Sequence, residues 1–432
     1  MNDRYSCSSG SESRTKVELK PCFSDPQLEV MNFLNEVVLD FPGAISFAPG
    51  RPLESLFDVR GHVAAIPGFI DAESSQKRIS PESMWGQIGQ YNRTNGMINE
   101  IVARQLVADE GIRVSAEAIM VTVGAQEAMA VILTGLFEPS RDILLVSDPT
   151  YIGITGLAQI LGISVYPVPA GPQGMEPDML RKSIGAASNR GRPRAVYDIP
   201  DFNNPVGVSL PLDRRFEILE ICRQYDLLYL EDNPYGMFNY DDVRIPTLKS
   251  LDEHGVVLYI GSFAKTLFPG LRLGYLVADQ QVGERTLAQE FSKVKSLITV
   301  NTPALCQVIA AAAIRGNGYS LEPVVAPKRE QFRKNRDVML ESLAHEFSNL
   351  DGRVQWTRPQ GGFFLTVTLP FPFAEPEVRE CAAKFGVIVC PMQFFALGND
   401  RRMQVRLSFS YVIEDEIREG VARFSRFCRS RL

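Results

Sequence analysis

From residue 90 onward the chain alternates helical periods with short runs of β-branched residues, and no other feature limits its possible folds as much. Apolar residues recur at helical spacing over 97–110, 126–137 and 155–161, while 118–123, 142–146 and 164–167 read as strands between them. The pattern continues through a strand at 194–199, a helix at 213–225 and strands at 227–231, 256–260 and 273–277. Strands separated by helices of this length pair in parallel. The expectation is an α/β domain built on a mostly parallel sheet.

The flanking regions read differently. Residues 1–24 are polar and predict a disordered leader. Residues 25–60 form an N-terminal arm, with a helical period over 25–38 and an extended piece over 44–52 that ends in a Gly/Pro turn. The large domain is expected over 61–315, closing with one long helical stretch from 283 to about 315 that only Pro303 interrupts. A charged amphipathic helix at 328–347 and strands near 363–369 and 404–409 predict a small α+β domain over 316–432.

Composition excludes several classes. The 51 acidic and 45 basic residues are scattered without a basic stripe, which argues against nucleic acid as a partner. The longest apolar runs, such as 128–137, are far shorter than the roughly 20 residues that cross a bilayer, so no membrane span is expected. Seven cysteines without a CxxC pair fit free thiols in a reducing compartment, and the leader lacks the apolar core of a secretory signal. The cytoplasm is the expected location. His62, His254 and His345 stand too far apart, and too far from acidic or thiol partners, to predict a metal site.

Three predicted strand ends run into chemically pointed turns: IPDFNNPVG at 199–207, EDNPYG at 231–236 and GSFAKTLFPGLR at 261–272. Ligands of open α/β sheets bind outside the carboxyl ends of the strands, so these turns can converge on one crevice. Singly, each has an ordinary explanation. Asn203, Asn204 and Asp232 suit turns, and a solitary lysine is usually solvated. Together Asn204, Asp232, Tyr235, Ser262, Lys265 and Arg272 supply an amide, a carboxylate, two hydroxyls, an amine and a guanidinium. A cofactor with a ring nitrogen to keep protonated, a phenolate oxygen, an aldehyde and a phosphate needs that set.

The ordered trio, with SFAKTLFPGLRLGY as its longest string, resembles the fold-type I, class I/II aminotransferases, which use pyridoxal 5′-phosphate (PLP). The nearest branch contains kynurenine and α-aminoadipate aminotransferases and the aminotransferase-like half of MocR-type regulators. The resemblance runs from about residue 25 to 432 and implies a PLP-binding large domain, a smaller α+β domain and a homodimer with shared active sites.

Carried over residue by residue, Lys265 resembles the Schiff-base lysine, and Asp232 the carboxylate on the pyridine nitrogen. Asn204 and Tyr235 resemble the donors to the ring oxygen, and Ser262 and Arg272 the phosphate ligands. Gly124, Ala125 and Gln126 match the phosphate loop, which sits between a strand and the N-terminus of a helix. Tyr151 matches the aromatic residue stacked on the cofactor ring, and Tyr91 the tyrosine that reaches the neighbouring subunit's phosphate. Arg406, in MQVRLSFS at 403–410, matches the guanidinium that binds the substrate α-carboxylate. Ala125 and Ala264 stand where relatives often carry serine, so fewer side-chain hydroxyls reach the phosphate; Asn203 stands where the branch often has glutamine.

The resemblance implies transfer of an amino group between an amino acid and a 2-oxo acid, although the scaffold also hosts decarboxylation, racemisation and β-elimination. A MocR-type sensor would need a winged-helix domain where this chain has only its polar leader. The arm (SFAPGRPLESLFD, 46–58, with MNFLNEV at 31–37) is most similar to arylglycine transaminases of peptide-antibiotic pathways. Aromatic, branched-chain, aminoadipate-like and guanidino 2-oxo acids are the alternatives. Arg51, after the Gly50 turn, is the arm residue expected to meet the substrate side chain, against its ordinary reading as a solvated arginine.

Overall fold

The computed structural model describes residues 17–432 except 242, 351 and 399, with the backbone alone at 34 and 35. Residues 1–16, most of the expected leader, lie outside the described residues. At the leader's other end the expectation of disorder is corrected. Pro21–Ser24 forms a 3-10 turn, and Lys20 Nζ donates to the Ile160 carbonyl at 3.2 Å.

Eight strands form the large sheet. From one edge they run Ile119–Thr122, Gly274–Val277, Val257–Ser262, Leu228–Asp232, Arg192–Asp198, Asp142–Asp148, Ser164–Gly171 and Gly174–Met175. Gly274–Val277 and the short Gly174–Met175 run antiparallel to their neighbours, and the rest share one direction. Helices cover both faces, so the central strands are buried throughout; Asp142–Asp148 has no residue outside the buried class. A parallel strand covered on both faces needs a continuous apolar run, which ILLV and VLYI provide. The helix Ala125–Leu136 is apolar nearly all round for the same reason.

The expected single helix from 283 to 315 is corrected. Gln281–Val282 and Arg285–Thr286 form a small hairpin, and two helices follow, Leu287–Ile298 and Ala304–Gly316. Pro303 has no N–H and pushes the residue before it out of helical geometry. Thr302 uses the break to donate its buried hydroxyl to the Val121 carbonyl at 2.9 Å. Three helices between the arm and residue 90, Val59–Ala64, Ile66–Lys77 and Pro81–Ile88, had no counterpart in the sequence reading.

The C-terminal part contains a four-stranded antiparallel sheet ordered Gln355–Trp356, Phe364–Thr368, Gln404–Ser408 and Cys390–Pro391. The helix Glu414–Arg429 packs Ile417, Val421, Phe424 and Cys428 into its core. Three acids in its first turn and Arg426 and Arg429 in its last complement the helix dipole. The arm joins this lobe through a parallel pairing of Ile45–Ser46 with Val387–Ile388, and Ser408 N donates to the Phe47 carbonyl at 2.8 Å.

The helix Glu322–Glu346 belongs to both cores. Val325 and Phe332 pack with the large sheet, whereas Val338, Met339 and Leu343 pack with the small one. Phe332 is fully buried, with ring centroids 5.0 Å from Phe363 and 5.8 Å from Phe238. Phe332→Ala should cost about 3–5 kcal/mol, because the shared helix cannot collapse into the gap without moving one lobe. Urea denaturation should show the first unfolding midpoint lowered, with native far-ultraviolet circular dichroism retained in buffer.

Candidate active site

Five parallel strands end at one edge of the large sheet, and each hands a polar turn to the same place. Thr122 leads to Gly124, Ala125 and Gln126; Asp148 to Tyr151; Asp198 to Asn204; Asp232 to Tyr235; Ser262 to Lys265. With Arg272, Arg406, Gly50 and Arg51 they line a cavity of about 460 Å³ between the two lobes. Thirteen of the fourteen residues singled out in the sequence meet there. Tyr91 does not: it is 79% exposed and stands outside the cavity.

Lys265 sits on the one-turn helix Phe263–Thr266, whose first turn is capped by Ser262 Oγ accepting from Ala264 N at 3.2 Å. Its Nζ donates to the Gly50 carbonyl at 2.7 Å. Burial, then the positive charges of Arg272 and Arg406, lower the amine to about 8. Asp232, at the end of Leu228–Asp232, is 3% exposed, and burial raises its carboxyl to about 7 against the pull of Tyr197 and Lys265. Its Oδ2 accepts from Tyr197 at 2.7 Å, while its Oδ1 has no partner among the described residues.

The anion-binding end is a backbone cradle. The helix Ala125–Leu136 begins at Gly124, whose φ of +77° is strained for any side chain and where a Cβ would meet the Arg272 guanidinium at 2.9 Å. The Ala125 and Gln126 N–H groups have no side-chain cap. Arg272 itself is held at φ +47°, ψ +49°, a left-handed conformation that costs a non-glycine residue on the order of 1–2 kcal/mol. That strain places its fork beside the helix N-terminus, where dipole and guanidinium favour the same anion.

At the opposite end Arg406 is 3% exposed and lies between two aromatic faces, 4.4 Å from the Phe364 centroid and 4.7 Å from that of Phe395. One amino group donates to Asn204 Oδ1 at 2.7 Å and the other to the Ala48 carbonyl. Its Nε has no partner among the described residues. Tyr235 is packed edge-on against Phe363 and Phe364, and burial pushes its hydroxyl well up; burial also raises the Tyr151 hydroxyl, to about 12. Arg51 lies flat over Tyr411, 4.4 Å to the ring centroid, and donates to its hydroxyl at 3.2 Å. The sequence reading missed Tyr411, Phe364 and Phe395; Tyr411 directly follows the strand segment that carries Arg406, which was the available signal.

A wider groove of about 870 Å³ near Arg244 and Arg329 lies apart from this chemistry, and both cations are already paired, with Glu110 and Glu322.

A family model, aminotransferase class I and II, matches residues 73–424. The chain belongs to the class I and II aminotransferases. It is 41% identical, over 95% of its length and 93% of the relative's, to a (S)-3,5-dihydroxyphenylglycine transaminase from Amycolatopsis orientalis. An aromatic-amino-acid aminotransferase from Thermococcus litoralis is 33% identical over 88% of this chain and 87% of its own. The crystal structure of a Pyrococcus horikoshii kynurenine aminotransferase superposes with a TM-score of 0.81 at 31% identity, covering 94% of this chain and 95% of that one. This aminotransferase is thus a PLP enzyme whose substrates are amino acids and 2-oxo acids. The cavity fits PLP on its own terms, with an orphaned carboxylate oxygen, a lowered amine and an uncapped helix N-terminus facing one space.

The lowered amine gives a pH dependence with a fixed sign. An unfolded lysine keeps its proton to about 10.4, so between about 8 and that value the unfolded chain binds more protons. The Lys265 contribution to stability therefore rises with pH across that window, and the penalty is fully present below it. Capture of PLP by the apoprotein should accelerate roughly tenfold per pH unit below 8 and level off above it. Stopped-flow absorbance from pH 6 to 9.5 checks this; a rate still climbing tenfold per unit above pH 9 would mean an unperturbed lysine.

Proposed function

We propose that this aminotransferase moves an amino group between a donor amino acid and an arylglyoxylate, giving the arylglycine and the donor's 2-oxo acid, in the cytoplasm, as a homodimer whose two sites are completed across the interface. The observation that carries the substrate class is the Arg51 guanidinium stacked on Tyr411 at the mouth of a cavity also lined by Met31, Ile152 and Phe395. A flat cation on a phenol beside aromatic and thioether groups suits a hydroxylated ring, which it can contact through both its face and its hydroxyls. The 41% identity with a dihydroxyphenylglycine transaminase across nearly the whole chain supports the same reading.

When bound, PLP supplies an aldehyde for the incoming amine and a ring that accepts the electron pair released at the substrate α-carbon. Within this reading Lys265 Nζ makes the covalent link and then carries the α-proton, for which an amine lowered to about 8 is suited. Asp232 Oδ1 would meet the ring nitrogen. Asn204 and Tyr235 would donate to the ring oxygen, and Tyr151 would cover the ring. Ser262, Arg272 and the Ala125 and Gln126 N–H groups would hold the phosphate, with Gly124 leaving room for it. Arg406 would take the substrate carboxylate, and Gly50, whose carbonyl accepts from Lys265 Nζ, would border the same space. Tyr91, exposed on one protomer, is assigned to the phosphate of the other.

Two substitutions separate chemistry from recognition. Lys265→Ala should lower turnover on the order of 10³-fold or more with the fold intact. Arg51→Ala should change kcat/KM for dihydroxyphenylglycine relative to phenylalanine and 2-aminoadipate by about 1–3 kcal/mol, leaving the cofactor absorbance unchanged. The measurement is coupled-assay kinetics over that substrate panel. Equal slowing of all three would remove Arg51 as the side-chain reader, and a best activity on 2-aminoadipate would overturn the arylglycine reading.

A further inference from the structure

Asp232 has a partner that does not line the cavity. Tyr197 lies on Arg192–Asp198, the strand parallel to and paired with Leu228–Asp232, and its Cα partner is Leu230. Residues two apart share a face of a sheet, so Asp232 emerges on the side to which Tyr197 points. The Tyr197 hydroxyl donates to Asp232 Oδ2 at 2.7 Å and the ring is fully buried. One carboxylate oxygen is thereby occupied from inside the sheet, and Oδ1 is left without a partner toward the cavity.

A second buried tyrosine–aspartate pair on the same two strands shows what is particular here. On the opposite face Tyr229 donates to Asp198 Oδ2 at 3.2 Å, but Asp198 Oδ1 is already taken by Ile199 N and Asn203 Nδ2. That pair is closed. The Tyr197–Asp232 pair has one oxygen to spare, on a residue that lines the cavity together with Lys265.

We propose that Tyr197 is a positioning residue that turns Asp232 so that Oδ1 meets the cofactor's ring nitrogen, and that keeps the carboxylate ionised so the proton stays on that nitrogen. The inference rests on the assignment of Asp232 made above. Burial and the Asp232 charge push the Tyr197 hydroxyl well above 10, so it remains a donor at every working pH. The other ionisable groups acting on Asp232 are Lys265, from the helix Phe263–Thr266, and the cavity-lining phenols Tyr151 and Tyr235. Lys265 and Tyr197 favour the carboxylate form, and Lys265 is the one of the two that would be taken up in the link to PLP. Tyr197 is then the internal group left to hold Asp232 as an anion. Removing its hydroxyl lets the shared proton move from the ring nitrogen to Asp232 Oδ1.

The test uses holoenzyme loaded with PLP labelled with ¹⁵N in the ring. In the wild type the ring nitrogen should resonate in the protonated range. In Tyr197→Phe, which keeps the buried ring and removes only the hydroxyl, the resonance should move toward the neutral range. The turnover number should fall on the order of tenfold to a hundredfold, the loss of a hydrogen bond to a charged group, with KM for amino donor and 2-oxo acid within about twofold. Fluorotyrosine at position 197, a stronger donor of nearly the same shape, should hold the resonance in the protonated range and stands in should the phenylalanine variant not fold. A protonated wild-type resonance that stays unchanged in Tyr197→Phe overturns the Tyr197 role and leaves the Asp232 assignment standing. A wild-type ring that is already neutral overturns both. A resonance in the fluorotyrosine protein displaced toward the neutral range also overturns the Tyr197 role.

Discussion

The structure depends on the cost of taking charge out of water. Parallel strands buried on both faces cannot carry polar side chains along their length without partners, so polar groups collect where the strands end. In this protein that edge brings an amine, a carboxylate and the Arg272 guanidinium to one cavity between the lobes, where Arg51 and Arg406 join them. Burial acts on them in opposite directions, lowering Lys265 to about 8 and raising Asp232 to about 7. Groups ordinarily more than six pH units apart are thereby brought close in acidity: the amine becomes a base suited to work near neutrality, and the carboxylate comes to need a partner to stay ionised.

The remaining architecture maintains that cavity. The helix Glu322–Glu346, packed into both cores, fixes the lobe that carries Arg406 against the lobe that carries Lys265. Phe364 and Phe395 hold the Arg406 guanidinium flat without neutralising it. No described carboxylate pairs with Arg406 or Arg272, whereas the buried Arg215 is paired with Asp201. Arg406 and Arg272 both lie in the cavity, where the ligands of an aminotransferase carry carboxylate and phosphate.

Much of this was legible in the sequence because turn chemistry is local. IPDFNNPVG, EDNPYG and GSFAKTLFPGLR each announce a strand end by composition, and the alternation of periods places those ends at one edge. What escaped depends on distance in space. Tyr197 reads as one more apolar position in AVYD until the register with Leu228–Asp232 sets it behind the carboxylate. Tyr411 and Arg51 are 360 residues apart and share no pattern. The break at Thr299–Pro303 was underread because Pro303 alone suggests a kink, and the bond from Thr302 to Val121 that makes it a full interruption is long-range. Of the three helices between 59 and 88, Ile66–Lys77 has little amphipathic contrast, burying Glu73 and Ser74 together with Phe69 and Ile70, and Val59–Ala64 and Pro81–Ile88 are short.

The arm's backbone already occupies the donors that a ligand would seek. The Ala48 carbonyl takes one amino group of Arg406, and the Gly50 carbonyl takes Lys265 Nζ. In the free protein the segment is therefore a built-in competitor, a self-ligand whose two oxygens imitate acceptors arriving from solution. Binding constants measured for any carboxylate here are exchange constants against that segment and not against bulk water. Each displaced bond subtracts about 1 kcal/mol from the gross attraction. A chain shortened to remove the arm would show guanidinium and amine to solvent, and its gain or loss of affinity would report the strength of the occupant it had lost.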